Sequence, residues 1–247
     1  MRIHLITPIV TEGVRTLEDV AGLNSADLSI TQSLIASGPV SIECEFDEAM
    51  SVPGIVAEAL AAERSGADAI LIDCMGDPGL KAAREVVSIP VFGPSETSMH
   101  LAAMLGHKYS IVTVLDSVVP MLENLAKVYG TSEKLASVRV INIPVLELEA
   151  APERLTDELA KASLAAVEED GAHAIVLGCT GFLGCAEAID AALKTRGYSL
   201  PVIDPIPATV CVAAGIVRAG LTHSKRTFAH PRSKDLKGYP SINIQGE

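Results

Sequence analysis

The sequence predicts an α/β protein made of two similar lobes, each a doubly wound, flavodoxin-like parallel sheet. One stretch occurs twice, as GADAILIDCMG at residues 66–76 and GAHAIVLGCTG at residues 171–181, an offset of 105 positions. Strand-like apolar runs alternate with helical patterns in both halves, which favours βαβ units. The chain is 49% hydrophobic but only 3% aromatic, a composition typical of parallel strands that helices cover on both faces.

The first half begins with a predicted strand at residues 2–7. Residues 28–35 fit either a strand or a short helix. Ser51 and Pro53 resemble a helix N-cap and first turn, and Gly66 ends that helix. The elements that follow are strands at 69–73 and 90–93 and helices at 78–87 and 95–106, the last capped by Ser95.

The second half repeats this plan. Strands are predicted at residues 109–114, 138–143, 174–177 and 200–204, and helices at 118–129, 153–170, 186–195 and 207–219. The repeat predicts an N-terminal lobe of residues 1–95 plus 205–247 and a second lobe of residues 96–204, related by a pseudo-twofold axis. Beyond Gly220 the chain is predicted to be loop.

Composition and charge limit the classes of binding partner and the cellular compartment that we expect for this protein. A net charge of −12 argues against nucleic acid and against an anionic membrane, because both require a basic face. No apolar run approaches the roughly 18–20 residues of a membrane span, and the first strand is too short for a signal peptide. We therefore expect a cytoplasmic homo-oligomer with a small-molecule substrate. In that reducing compartment the five cysteines should be thiols, and their spacing gives little support to a metal site.

Cys74 and Cys179 occupy equivalent places at the carboxyl ends of the repeated strands, where ligands of such sheets collect. A cleft between the lobes would then present one thiol from each side. Inversion of a carbon acid requires a base on one face and an acid on the other, with the two sulfurs about 7 Å apart. That separation excludes a disulfide, whose S–S bond is about 2.05 Å. The other cysteines (Cys44, Cys185 and Cys211) are expected to be small hydrophobic side chains of the buried core.

Several segments also resemble one protein family. They are CMGDPGLKAARE at 74–85, IVLGCTG at 175–181, PVSIE at 39–43, FDEA at 46–49, YSIVT at 109–113 and LTHSKR at 221–226. Together they resemble the aspartate/glutamate/hydantoin racemase superfamily, and most closely its hydantoin and allantoin racemase branch. The resemblance implies a racemase that uses no cofactor and no metal, with Cys74 and Cys179 as its acid/base pair.

Residues beside the two cysteines and on the neighbouring strand ends are the candidates for substrate binding. They are Thr7, Ser41, Ile42, Glu43, Met75, Gly76, Thr113, Val114, Thr180 and Gly181. The sequence departs from the family at the first strand end, where Thr7-Pro8-Ile9 replaces the usual Asn-Pro-Asn, and at Asp73, where a small residue is normal. Asp77, just before Pro78, is predicted to be a helix N-cap.

Four other functions can be weighed against the sequence. Racemisation of aspartate or glutamate is the nearest, but it requires basic groups that bind free carboxylates, and only Lys81 and Arg84 lie near Cys74 in the sequence. A two-lobed binding protein has no need of symmetric thiols. A thiol redox sensor requires the two sulfurs within bonding distance. A decarboxylase of this fold would need only one cysteine.

Overall fold

The structure, a computed structural model, describes residues 1–242. The strands are β1 (Arg2–Thr7), β2 (Ser29–Leu34), β3 (Ala69–Ile72), β4 (Val91–Phe92), β5 (Tyr109–Thr113), β6 (Leu135–Val140), β7 (Ile175–Leu177) and β8 (Val202–Ile203). The α-helices are α1 (Glu18–Ala21), α2 (Glu45–Arg64), α3 (Leu80–Val86), α4 (Pro94–Leu105), α5 (Val119–Val128), α6 (Pro152–Glu168), α7 (Cys185–Thr195) and α8 (Pro205–Arg218). Short 3₁₀ helices occupy Asp116–Val118, Ser132–Lys134 and Val145–Ala150.

The chain divides into two compact units. The first contains Met1–Ile42, Phe46–Gly93 and the chain from Thr209 onward, and the second contains Glu43–Glu45 and Pro94–Ala208. Each unit holds one four-stranded parallel sheet, in the order β2-β1-β3-β4 in the first and β6-β5-β7-β8 in the second. The same order in both sheets confirms the predicted pair of similar parallel-sheet folds.

The register places the two cysteines alike. In the first sheet Ile6 lies opposite Ile72 at the end of β3, and in the second Val112 lies opposite Leu177 at the end of β7. Each cysteine follows two residues after its strand ends. Both therefore emerge at the carboxyl end of an interior strand, flanked by a paired strand on each side.

The cysteine strands β3 and β7 are buried along their length because they lie inside their sheets and helices cover them. All of β3 and β7 is inaccessible to solvent, which explains why the two cysteine strands are continuous apolar runs rather than alternating patterns. In the first unit a core cluster joins β3 to α2 and α3 through residues that include Ile55, Ile70, Ile72 and Leu80. These buried strands fix the positions of the loops that carry the thiols.

Helix α2 begins seven residues earlier than its sequence signals indicate. Glu45 starts it, so the prediction of an N-cap at Ser51 is wrong. Ser51 is buried inside the helix, and its hydroxyl donates to the Glu48 carbonyl at 2.7 Å. Pro53 lacks the N–H that would bond the Ala49 carbonyl, but Ala49 is exposed and solvent can satisfy it. A serine and a proline in mid-helix thus imitate a helix start.

Other observed element boundaries also differ from the predicted ones. Residues 28–35, compatible with strand or helix by sequence, contain the edge strand β2 (Ser29–Leu34), which pairs with β1 over six residues. The sixth strand occupies Leu135–Val140, three residues before its predicted range. Helix α4 begins at Pro94, so Ser95 lies in its first turn and not at the cap. Among the described residues, every helix is too short or too polar to cross a membrane.

Candidate active site

Cys74 lies in a tight loop between β3 and α3. Its N–H donates to the Ile72 carbonyl at 3.0 Å, and its own carbonyl accepts the Asp77 N–H at 3.0 Å. The Asp77 carbonyl in turn accepts the Leu80 N–H at 3.2 Å, at the first residue of α3. This ladder of backbone bonds fixes the path of the chain from the thiol to the helix.

Cys179 has an equivalent backbone frame. Its carbonyl accepts the Phe182 N–H at 3.3 Å, and the Phe182 carbonyl accepts the Cys185 N–H at 3.2 Å, where α7 begins. Each helix is preceded by a glycine in the left-handed region, Gly79 at φ 65° and Gly184 at φ 69°. A residue with a side chain is strained there, so glycine suits the turn five residues after each cysteine. The repeat is therefore present in the amino-acid sequence and also in the backbone hydrogen bonds that follow each cysteine.

Both cysteines are partly exposed thiols. None of the five cysteines is in a disulfide. Cys185 is buried on α7, but Cys211 is exposed on α8, so the prediction that Cys211 belongs to the core is wrong. The Cys179 sulfur accepts the Gly181 N–H at 3.4 Å. Burial raises the pKa of the Cys185 thiol, although a hydrogen bond with Thr156 opposes this. Cys74 and Cys179 are therefore the thiols that combine access to solvent with a place at a strand end.

The strand-end threonines Thr7 and Thr113 bond to the protein. The Thr7 hydroxyl donates to Asp73 Oδ2 at 3.1 Å, and the Thr113 hydroxyl donates to the Gly178 carbonyl at 3.0 Å. Both threonines are buried. In each unit the threonine hydroxyl therefore holds the residue that directly precedes the cysteine. The hydrogen bond that this hydroxyl donates is used within the protein.

A buried charge network behind Cys74 was not anticipated from the sequence. Arg15 Nε donates to Asp73 Oδ2 at 2.7 Å, and its two terminal nitrogens donate to the Asp19 carboxylate at 2.8 and 3.0 Å. The three side chains are 4% exposed or less. Burial tends to lower the pKa of Arg15, but Asp73 and Asp19 outweigh it, so the pKa of Arg15 is raised. Arg15 is the only lysine or arginine between Arg2 and Arg64.

The predicted binding residues Met75, Gly76 and Gly181 lie where space is tight. Met75 and Gly76 are buried, and Gly181 is partly exposed. A Cβ on Gly76 would lie 1.3 Å from Glu48 Oε1, and one on Gly181 would lie 3.1 Å from Leu148 Cδ1. Glycine at these two places lets neighbouring side chains approach the backbone that adjoins each cysteine.

Asp77 is not the N-cap of α3, so that prediction is wrong. The cap is Gly79, which makes no side-chain cap hydrogen bond to the helix start. Asp77 instead has a φ of 49° and is 5% exposed, with its carboxyl carbon 2.4 Å from the position of a Cβ on Gly93. The sequence Asp77-Pro78 imitates an N-cap followed by proline, but the chain makes a further turn before the helix begins.

The remaining predicted binding residues lie in both units. Ile42 is buried, Ser41 and Thr180 are partly exposed, and Val114 is buried after β5, where its carbonyl accepts the Ile143 N–H at 3.3 Å. Glu43 belongs to the second unit. Its carbonyl accepts the Ser117 hydroxyl at 2.6 Å, and Oε1 accepts the Val145 N–H at 2.8 Å. Glu43 thus joins the loops that follow β5 and β6.

The carboxyl-terminal loop braces the end of α3 and the start of β4 in the first unit. The Thr222 hydroxyl donates to the Ser88 carbonyl at 2.9 Å, and His223 Nε2 accepts the Val91 N–H at 2.9 Å. Lys225 Nζ donates to the Arg84 carbonyl at 2.7 Å. Burial lowers the pKa of Lys225. The LTHSKR segment therefore supports α3 and β4 from outside the sheet.

Chemically, each unit offers one partly exposed thiol just beyond a strand end, and in the second unit that thiol accepts a backbone N–H. A thiol and a thiolate are competent proton donor and acceptor near neutral pH. Among residues 1–242, no group of three or more histidine, cysteine, aspartate or glutamate side chains is arranged to hold a metal ion.

Comparison with known proteins gives a consistent result. The family model described as Asp/Glu/Hydantoin racemase matches residues 12–213. The chain is 39% identical to a hydantoin racemase of Rhizobium meliloti over 97% of this chain and 98% of that protein. It is 40% identical to a hydantoin racemase of Pseudomonas sp. (strain NS671), over 96% and 95%. The solved allantoin racemase from Klebsiella pneumoniae superimposes with a TM-score of 0.90 at 33% identity, covering 98% of both chains.

Proposed function

The chain belongs to the Asp/Glu/Hydantoin racemase family, and we propose that it is a cofactor-independent racemase of a 5-substituted hydantoin or allantoin. Cys74 and Cys179 act as the acid/base pair. The observation that carries this proposal is the 105-residue repeat, which extends to the hydrogen bonds around each cysteine. Matched frames of this kind suit two thiols that perform the same step on opposite faces of one carbon.

The proposed reaction is a proton transfer at a single carbon. One cysteine, as thiolate, takes the proton from the ring carbon beside the carbonyl, and the electron pair of the C–H bond moves into an enolate. The opposite cysteine, as thiol, then delivers its proton to the other face of that carbon. The product is the mirror image, and the thiol and thiolate have exchanged places, so reaction from the other enantiomer uses the reverse assignment.

Backbone N–H groups next to the cysteines are proposed to stabilise the enolate oxygen. Gly76, Thr180 and Gly181 adjoin the two thiols, and glycine at two of these positions keeps the backbone accessible to close neighbours. Met75, Val114 and the Ser41–Glu43 segment complete the proposed substrate contacts. Thr7 and Thr113 are assigned a supporting role instead, because their hydroxyls donate to the residues that precede the cysteines.

A neutral ring fits this chain better than a free amino acid. Recognition of aspartate or glutamate requires cations that can bind carboxylates. Arg15, the buried cation behind Cys74, already bonds Asp19 and Asp73. Arg84 donates to the Val91 carbonyl and stacks on Phe228, 5.4 Å from the ring centre. With these cations engaged inside the first unit, a hydantoin or allantoin is the favoured substrate.

The test measures racemisation and solvent deuterium uptake across a panel of 5-substituted hydantoins, allantoin, aspartate and glutamate. Cys74→Ser and Cys179→Ser should each reduce racemisation by at least about 100-fold, the lower range for loss of an acid/base group. Each variant should still exchange the proton of only one enantiomer. Cys211→Ser, at an exposed position on α8, is the matched control and should racemise normally.

The panel separates the substrates from the mechanism. Wild-type rates in both active-site variants would show that these cysteines are not the acid/base pair. Racemisation of aspartate or glutamate in preference to the ring substrates would instead leave the two-cysteine mechanism standing and show that the proposed substrate is wrong.

A further inference from the structure

Asp73, the residue before Cys74, is the pivot of a tight turn. The bond from the Cys74 N–H to the Ile72 carbonyl spans one intervening residue, the pattern of a γ-turn, at 3.0 Å. Asp73 is that intervening residue, and its side chain is fully buried. The direction in which the chain leaves β3 toward the thiol is therefore set at Asp73.

The Asp73 carboxylate is anchored from several elements. Arg15 Nε and the Thr7 hydroxyl both donate to Oδ2, at 2.7 and 3.1 Å. Arg15 is held in turn by Asp19 on α1, and the Thr7 hydroxyl accepts Gln32 Nε2 from β2 at 2.8 Å. The turn before Cys74 is thus tied to β1, to β2 and to the segment that contains α1.

Stability does not explain this arrangement. A buried ion pair is often no more stabilising than apolar residues of similar volume, because both charges must leave water. The second unit fills the same place with Gly178, which the Thr113 hydroxyl holds through its carbonyl at 3.0 Å. A charged side chain is therefore not required to end such a strand. A threonine hydroxyl holds the residue before the cysteine in both units, and the charge network is an addition in the first unit.

We propose that Arg15 and Asp73 are positioning residues for Cys74, which fix the turn and so hold its thiol in the reacting geometry. This inference rests on the acid/base role proposed above for the two cysteines. A misplacement of about 1 Å is enough to reduce a reaction rate by as much as about 100-fold. Because the charge network lies on the Cys74 side, its loss should slow one of the two proton transfers selectively.

The experiment removes all three charges together, so that no buried charge is left without its partner. The variant combines Arg15→Met, Asp19→Asn and Asp73→Ala. It is expected to fold, with a cooperative thermal transition, and to lose roughly 10- to 100-fold in kcat with little change in KM. Its primary isotope effect with Cα-deuterated substrate should rise for the enantiomer that Cys74 deprotonates and should not rise for the other. The cysteine variants identify that enantiomer by their one-sided exchange.

Thr113→Val is the matched control in the second unit. It removes the hydroxyl that holds the residue before Cys179, so the isotope effect should rise for the opposite enantiomer. A folded triple variant with wild-type kcat would overturn the inference, as would equal changes in the two isotope effects. If those results accompanied inactive cysteine variants, the proposed function would stand and only the positioning role would fall. Normal racemisation by both cysteine variants would overturn both.

Discussion

Replacing Gly178 with alanine should destabilise the second unit strongly. A Cβ at this position would lie 2.7 Å from Thr113 Cβ, 2.8 Å from Ile111 Cγ2 and 2.8 Å from the Val112 carbonyl oxygen. All three neighbours belong to β5, which pairs with β7 directly beside Gly178. Two are atoms of β-branched side chains and the third is backbone, so none can move aside cheaply.

The size of the effect follows from these distances. Overpacking a core usually lowers the free energy of unfolding by about 1–3 kcal/mol. Because three contacts would be shorter than 3.0 Å, we expect a loss of about 3 kcal/mol for Gly178→Ala. For a chain of this length that corresponds to a fall in Tm of roughly 6–12 °C. Urea denaturation followed by circular dichroism, together with thermal melts, measures both quantities.

Gly215→Ala provides the control. Gly215 lies exposed within α8, and a Cβ there would meet no atom within 4 Å. The same chemical change should therefore stabilise the protein by about 0.5–1 kcal/mol, because alanine is the better helix former. A Gly178→Ala variant at least as stable as the wild type, beside a Gly215→Ala variant stabilised as expected, would refute the steric reasoning at Gly178.

Two further predictions concern titration and reactivity. Burial lowers the pKa of His4 below 6.5, although Glu58 opposes this, so the unfolded chain binds the proton more readily. Stability should then fall as the pH drops from about 7 through 6.5 toward the folded pKa, and this loss should be smaller in a His4→Gln variant measured by urea denaturation in parallel. Iodoacetamide at pH 8 should label exposed Cys211 well before buried Cys185, because burial raises the pKa of the Cys185 thiol. Peptide mass spectrometry measures the two labelling rates, and equal rates would contradict this prediction.

The sequence predicted the fold well because its main signals are repeated and local. The offset of 105 residues relates not only the cysteine strands but also the turn glycines Gly79 and Gly184. Two occurrences of one pattern constrain each other, so the common sheet order followed from them. Local signals failed where a side chain imitated a cap, as Ser51 did within α2 and Asp77 did before α3.

The surroundings of Cys74 were less predictable because they depend on distant pairing. Arg15 and Asp73 are 58 residues apart, and no periodicity connects them. Two features of the sequence could have indicated the network: an aspartate at the end of an otherwise apolar strand, and a single cation in a long segment without others. For Thr7 and Thr113 the sequence indicated their place at the strand ends but not the direction of their hydroxyls, which donate to the protein.

The short last strands of both sheets bear on aggregation. An exposed sheet edge carries peptide groups that can pair with another chain and so begin intermolecular β-sheet growth. Here β4 and β8 have two residues each, and in β4 the Val91 N–H already bonds the His223 ring. These edges offer few groups for such pairing. Loss of the His223 side chain would leave the Val91 N–H able to pair with another chain. Aggregation of the concentrated protein is therefore a way to detect the effect of substitutions in the carboxyl-terminal loop.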